Sequence, residues 1–241
     1  MVNFSWKSFS ASVRGPGHAR LCLPNQDACM VSSRIWGDVA VVSDGVGSCS
    51  HSEYGSSAAC SAVISAAENW IIQNCTIDSF FDEVHRIWLS NIKPFDPDEC
   101  SATCLFSICP KDGEILLGIL GDGLIAIIKS DGSYTELYDE KDGAFSNQTC
   151  ALSSKTQTSQ WRMISMNQDE CCAILLCTDG IADDLLPEKR QDFVRHIYNQ
   201  GQSFATATVA RELRKMLEQW PVPKHSDDKT LVCLYKNQES Q

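Results

Sequence analysis

Asp44 closes the apolar stretch DVAVVSDG (38–45), and Asp179 closes CCAILLCTDG (171–180). Asp122 lies between two apolar runs in GILGDGLIAII (118–128). A carboxylate at the end of a buried strand is costly unless something positive sits opposite it. Asp27 in LPNQDACMV opens a further strand, and Asp227 with Asp228 precedes KTLVCLY. These acids are far apart in sequence, yet all stand at strand boundaries. If folding gathers those ends, mutual repulsion raises their pKa values or unfolds the site unless cations hold them. Ligands that are all oxygen select hard ions, magnesium, manganese or calcium, over zinc. The alternative is a set of separate surface caps and turns.

Asp-Gly occurs six times, so the dipeptide alone proves little. Asp112, Asp131 and Asp142 lie in polar, lysine-flanked stretches, where Asp-Gly serves the backbone of a turn. Asp44 and Asp179 have no such neighbours. Gly45 and Gly47 also strip the side chains from the segment after Asp44, leaving bare backbone beside a carboxylate.

The elements that would carry these acids follow from periodicity. DACMVSSRIWGDVAVVSDG reads as two strands around a turn at Trp36-Gly37, and EYGSSAACSAVISAAENWIIQN as a helix. FFDEVHRIWLSNI (80–92) is a second amphipathic helix, ended before Pro94. From Ser101 to Leu137 apolar runs joined by short polar turns predict an antiparallel meander. Residues 139–162 are polar and aperiodic, which predicts a mobile flap. A buried strand, two helices from QDFVRHIYNQ and SFATATVARELRKMLEQW, and the closing strand KTLVCLYK complete the order. The expected class is α+β, with helices covering a β-sandwich, in a single domain over 1–241.

Composition removes some functions. A net charge of −11 argues against broad nucleic-acid binding, which needs clustered Lys and Arg. No apolar run approaches a membrane span, and the first residues lack a signal peptide's apolar stretch. Thirteen cysteines fall largely inside apolar runs, and no CxxC pair occurs, which disfavours a zinc ribbon. They are expected to be reduced core thiols in a cytoplasmic protein.

The set PNQDA, SDGVGSCSHSEYGSSAA, SATCLFSI, GILGDGLIAII, LLCTDGIADDL and DDKTLVCL resembles the metal-dependent serine/threonine protein phosphatases of type 2C, the PPM family, in a bacterial branch. The match runs from about residue 8 to 236. The resemblance implies a central sandwich of two antiparallel sheets flanked by helix pairs, a four-layer αββα arrangement. It further implies a centre of two Mn2+ or Mg2+ ions, with a third ion in some members. Carried over by position, Asp44 matches the bridging carboxylate and Gly45 the residue whose carbonyl binds one ion. Asp179 and Asp227 match further direct ligands, Asp27 the acid that holds metal-bound water, and Asp122 the acid of the third ion. Asp228 stands where the family often has Asn, one step behind the ligands. The activity implied is hydrolysis of phosphoserine and phosphothreonine, with Asp44, Asp179 and Asp227 acting through activated water. The implied partner is a phosphorylated protein substrate, opposing a Ser/Thr kinase, and a monomer is expected.

Two positions depart from the family pattern. Its usual phosphate-holding arginine is replaced by Cys22, leaving His18 and Arg20 in GPGHARLC as candidates for the substrate phosphate. Val46 stands where eukaryotic relatives carry a histidine proposed as general acid, and His51 is a substitute only if geometry brings it within reach. Competing readings are a pseudophosphatase that binds phosphoproteins and a phosphatase of small phosphate esters.

Overall fold

Alternation within single strands decides the layering of the computed structural model, which describes residues 6–73, 76–138 and 150–237. In β3 (Gly37–Asp44), Val39 and Val41 face a helical layer while Ala40 and Val42 face a second sheet. A strand buried on both faces must be almost continuously apolar, which is how this segment reads. β3 belongs to a five-stranded antiparallel sheet with β2 (Asp27–Arg34), β4 (Cys104–Pro110), β5 (Glu114–Leu120) and β8 (Arg162–Asn167), in the order β2-β3-β4-β5-β8. The other sheet runs β1-β10-β9-β6-β7, from β1 (Trp6–Val13), β10 (Lys229–Lys236), β9 (Cys171–Cys177), β6 (Leu124–Lys129) and β7 (Tyr134–Tyr138). Leu105, Leu117, Ile127, Ile174 and Val232 fill the space between the sheets.

Helices close both outer faces. α2 (Ser52–Gln73) and α3 (Ile77–Asn91) cover the β3 sheet through Val63, Phe80, Val84 and Trp88. Thr76 caps α3 by accepting the Ser79 N–H, and Asp78 complements the positive end of the helix dipole. α5 (Pro187–Ser203) and α6 (Thr206–Glu218) cover the other sheet, and Val209, Leu213 and Leu217 form one stripe at helical spacing. Two short helices, α1 (Pro16–Arg20) and α4 (Asp179–Ala182), lie at strand ends. The architecture is the expected α+β sandwich in four layers.

The meander needs correction. β5 pairs with β4 and β8, whereas β6 pairs with β7 and β9, so the chain changes sheets between them. Gly121 and Gly123 make that crossing at φ +98 and +112, a left-handed backbone that favours glycine. Strands β1 and β8 and helix α1 were not legible in periodicity; β8 is an edge strand in which Arg162 and Met163, on opposite faces, are both exposed. The first hairpin turns at Ile35-Trp36, one residue early, and α3 starts three residues before Phe80. Of the segment expected as a flap, 139–149 lies outside the described residues. The remainder is anchored: Leu152 is fully buried and exchanges backbone bonds with Ala102, and Trp161 stacks on Phe81 at 4.8 Å.

Among the described residues every cysteine is free, and seven are buried. Burial pushes the Cys100 and Cys171 thiols up to about 11 and about 12, so they pack as apolar groups rather than as nucleophiles.

Candidate active site

Strand direction gathers the acids. β2 begins where β3 ends, so Asp27 stands directly opposite Asp44. β4 starts beside them: the Thr103 N–H donates to the Asp44 carbonyl at 2.8 Å, and the Asp44 N–H donates to Thr103 Oγ1 at 3.0 Å. In the other sheet Cys177, at the end of β9, pairs with Leu124 at the start of β6 and Leu231 near the start of β10. Asp122, Asp179 and Asp227 flank those three strand ends. Thr178 then joins the sheets, its hydroxyl donating to Asp27 Oδ2 at 2.8 Å. Asp44 and Asp179 therefore lie at the same end of the sandwich.

Electrostatics shows how near these carboxyls are. Burial pushes Asp27 from 3.8 up to about 7, against hydrogen bonds from Asp44 and Thr178 that hold it down. Burial also pushes Asp179 to about 7, with Asp122, Asp227 and Asp27 adding repulsion. Asp44 is raised well above 3.8 by burial, then by the charges of Asp27 and Asp179. Asp44 and Asp27 are hydrogen-bonded to each other, which two carboxyls achieve only if one carries a proton. Among the described residues, no cationic side chain ranks among the main influences on these three. An oxygen-only, mutually repelling cluster is a donor set that fits hard divalent cations. Among the described residues, however, no three of His, Cys, Asp and Glu stand as a finished cage for an ion.

Bare backbone has a packing role here. A Cβ on Gly45 would lie 2.6 Å from the Ser52 carbonyl oxygen, at the start of α2. A Cβ on Gly180 would lie 2.0 Å from the Asp228 carbonyl oxygen. Glycine at 45 thus lets α2 approach the strand end, a reason the sequence reading, which gave the space to a cation, did not include.

The two phosphate-holding candidates differ in setting. His18 is half-buried, and its Nδ1 lies 2.9 Å from Asp228 Oδ2. Arg20 is exposed, and its Nε donates to the Pro16 carbonyl of its own short helix at 3.1 Å. The His51 ring packs at 4.1 Å on Phe95, and the Val46 N–H donates to Ser101.

Sequence reasoning missed Thr178 and Lys229. Thr178 precedes Asp179 in LLCTDG and reads as ordinary strand-end polarity. Lys229 looks like the polar start of an apolar strand, but it is buried; its Nζ donates to the Asp227 carbonyl at 3.0 Å and lies 3.0 Å from His225 Nδ1. It lines, with Asp183, Asp184, Lys224 and His225, a cleft of about 230 Å³ beside Asp179 and Asp227.

Residues 14–218 match the family model for protein phosphatase 2C. Among curated proteins none matches the sequence. Solved structures share the fold at low identity. The catalytic domain of the serine/threonine protein phosphatase PstP, in complex with two manganese ions, is 19% identical with a TM-score of 0.62, over 98% of this chain and 100% of that one. A bacterial serine phosphatase is 13% identical with a TM-score of 0.67, over 98% and 100%. RsbX in complex with magnesium is 14% identical with a TM-score of 0.62, over 98% and 100%.

Proposed function

The chain belongs to the protein phosphatase 2C family, and from that premise we propose that it is a metal-dependent phosphatase of phosphoserine and phosphothreonine in proteins. The observation that carries this reading is the gathering of buried carboxyls from both sheets at one end of the sandwich, where burial and mutual repulsion raise Asp27, Asp44 and Asp179 together. Asp44, Asp179 and Asp227, with the Gly45 carbonyl, would hold two Mn2+ or Mg2+ ions, Asp27 would hold water beside them, and Asp122 would serve a third. Bound there, such ions supply an acidified water and positive charge opposite a phosphoryl group.

The chain's own residues do the rest. Asp27, fixed by Thr178, orients water at the floor of the site. His18, tethered to Asp228, is better placed than Arg20 to receive the substrate phosphate, because the exposed Arg20 spends its Nε on its own helix. No side chain is needed as nucleophile, consistent with thiols raised by burial. The implied setting is signalling, with a Ser/Thr kinase as counterpart and the enzyme acting as a monomer in the cytoplasm. No helix among the described residues is long and apolar enough to cross a membrane.

A second reading is a module that binds phosphoproteins without hydrolysis, since membership of the family by itself does not establish turnover. Turnover separates the two. Purified protein with p-nitrophenyl phosphate and manganese is expected to release phosphate and to stop on adding EDTA. Saturable binding of a phosphopeptide without turnover, across several metals, would favour the module.

A further inference from the structure

Lys229 stands where an apolar side chain is expected. It opens β10, and its same-face neighbours Leu231, Cys233 and Tyr235 pack in the core beneath α5 and α6. The lysine is itself only 1% exposed, and a buried amine is costly unless it is hydrogen-bonded. Its Nζ donates to the Asp227 carbonyl at 3.0 Å, a bond whose direction is fixed because a carbonyl oxygen only accepts. The backbone of Gly15 lies against the same carbonyl, where an added Cβ would come within 2.3 Å of its oxygen. The Asp227 side chain is oriented as well: Oδ1 accepts the Asp228 N–H at 2.9 Å, and Oδ2 has no hydrogen-bond donor among the described residues. A Cβ on Gly180 would lie 3.2 Å from Asp227 Cβ, so the residue after Asp179 closes against this one.

We propose that Lys229 is a positioning residue that fixes the Asp227 peptide and so aims the Asp227 carboxylate at a divalent cation. The lysine acts from behind the ligand, on its main chain, and leaves Oδ2 clear for the ion. The turn from 220 to 228 is anchored at its other end by Trp220, whose Nε1 donates to Asp184 Oδ2 at 2.8 Å. Asp184 lies just beyond α4, which begins at Asp179, so the two bonds tie the carriers of Asp179 and Asp227 to one another. Methionine would continue the apolar row of β10 but offers no donor, whereas arginine keeps one. The inference rests on the phosphatase reading for the ion and adds to it the residue that sets one ligand's aim.

Calorimetric titration of Mn2+ into the wild type, Lys229→Met and Lys229→Arg tests it. Lys229→Met should weaken Mn2+ binding by about 10-fold, the loss of roughly one hydrogen bond's worth of placement. Lys229→Arg, which restores a donor, should stay within about 3-fold of the wild type. The metal-free Tm of Lys229→Met should lie within about 4 °C of the wild type, so that the loss appears in affinity rather than in folding. An arginine variant no better than methionine, or a metal-free Tm that falls farther, would assign Lys229 to the fold instead. Should Lys229→Met fail to fold, crystals of the wild type grown with manganese decide: Nζ should still lie within hydrogen-bond reach of the Asp227 carbonyl while the carboxylate faces the ion, and an Nζ turned away overturns the proposal. Undiminished Mn2+ affinity in a folded Lys229→Met overturns this inference alone, whereas a wild type that takes up no Mn2+ defeats the metal-dependent reading beneath it.

Discussion

At the scale of residues the fold spends stability to keep carboxyls apart from water and close to one another. The sign of the resulting pH dependence follows from the upward shifts. Asp27 and Asp179 bind protons more tightly folded, near 7, than unfolded, near 3.8. Their contribution is therefore fully present below about pH 4 and is lost as pH rises through 7. Metal-free protein should melt higher near pH 5.5 than near pH 8, and added Mn2+ should raise Tm most near pH 8. Asp27→Asn should raise the metal-free Tm near pH 8 by a few degrees, since ~1 kcal/mol moves Tm by about 2–4 °C in a domain of this size. Calorimetry that finds the metal-free protein most stable near pH 8 would contradict the shifts. The cost of placing the acids was legible in the sequence, because aspartates ending apolar runs need a reason. Their partners were not: Thr178 and Lys229 are recruited by tertiary contacts across 151 residues and around a turn, for which no local pattern exists.

At the scale of elements, the site is only as well placed as the strand ends and the layers that clamp them. α3 is a lever in this sense. Trp88 is fully buried, and its Nε1 donates to the Gly55 carbonyl of α2 at 3.0 Å. Trp88→Phe should destabilise by about 1–3 kcal/mol through the lost hydrogen bond and the lost volume. Denaturant melts at equal m-value measure this, and a change below about 0.5 kcal/mol would show that α3 does not brace the sheet. Gly180→Ala tests the other side, because a Cβ there collides with the Asp228 backbone. Mn2+ affinity should fall more than global stability does, as α4 and the start of β10 are pushed apart. Central elements were readable since β5, β6 and β10 are uninterrupted apolar runs. The sheet crossing at Asp122 was not, because a tight hairpin and a crossover both show Gly-Asp-Gly between apolar strands.

Taken as a whole, the molecule brings two independent sheets into register at one end and stores there a negative charge that neither sheet carries alone. The family resemblance supplied the pairing of sheets; periodicity and turns supplied most of the strands and the hairpin partners β2–β3, β4–β5 and β6–β7, but not the partners distant in sequence, whose choice is decided by burial between layers. The anchored stretch 150–162 escaped a periodic reading for the same reason, since Leu152 and Trp161 hold it by single contacts rather than a repeat. The central claim is that acids from both sheets hold divalent ions jointly. Anomalous diffraction from crystals grown with manganese tests it most directly. The account predicts peaks bounded by Asp44, Asp179 and Asp227, absent from an Asp44→Ala variant that still crystallises in the same fold. Manganese bound elsewhere, or retained at full occupancy without the Asp44 carboxylate, would contradict it.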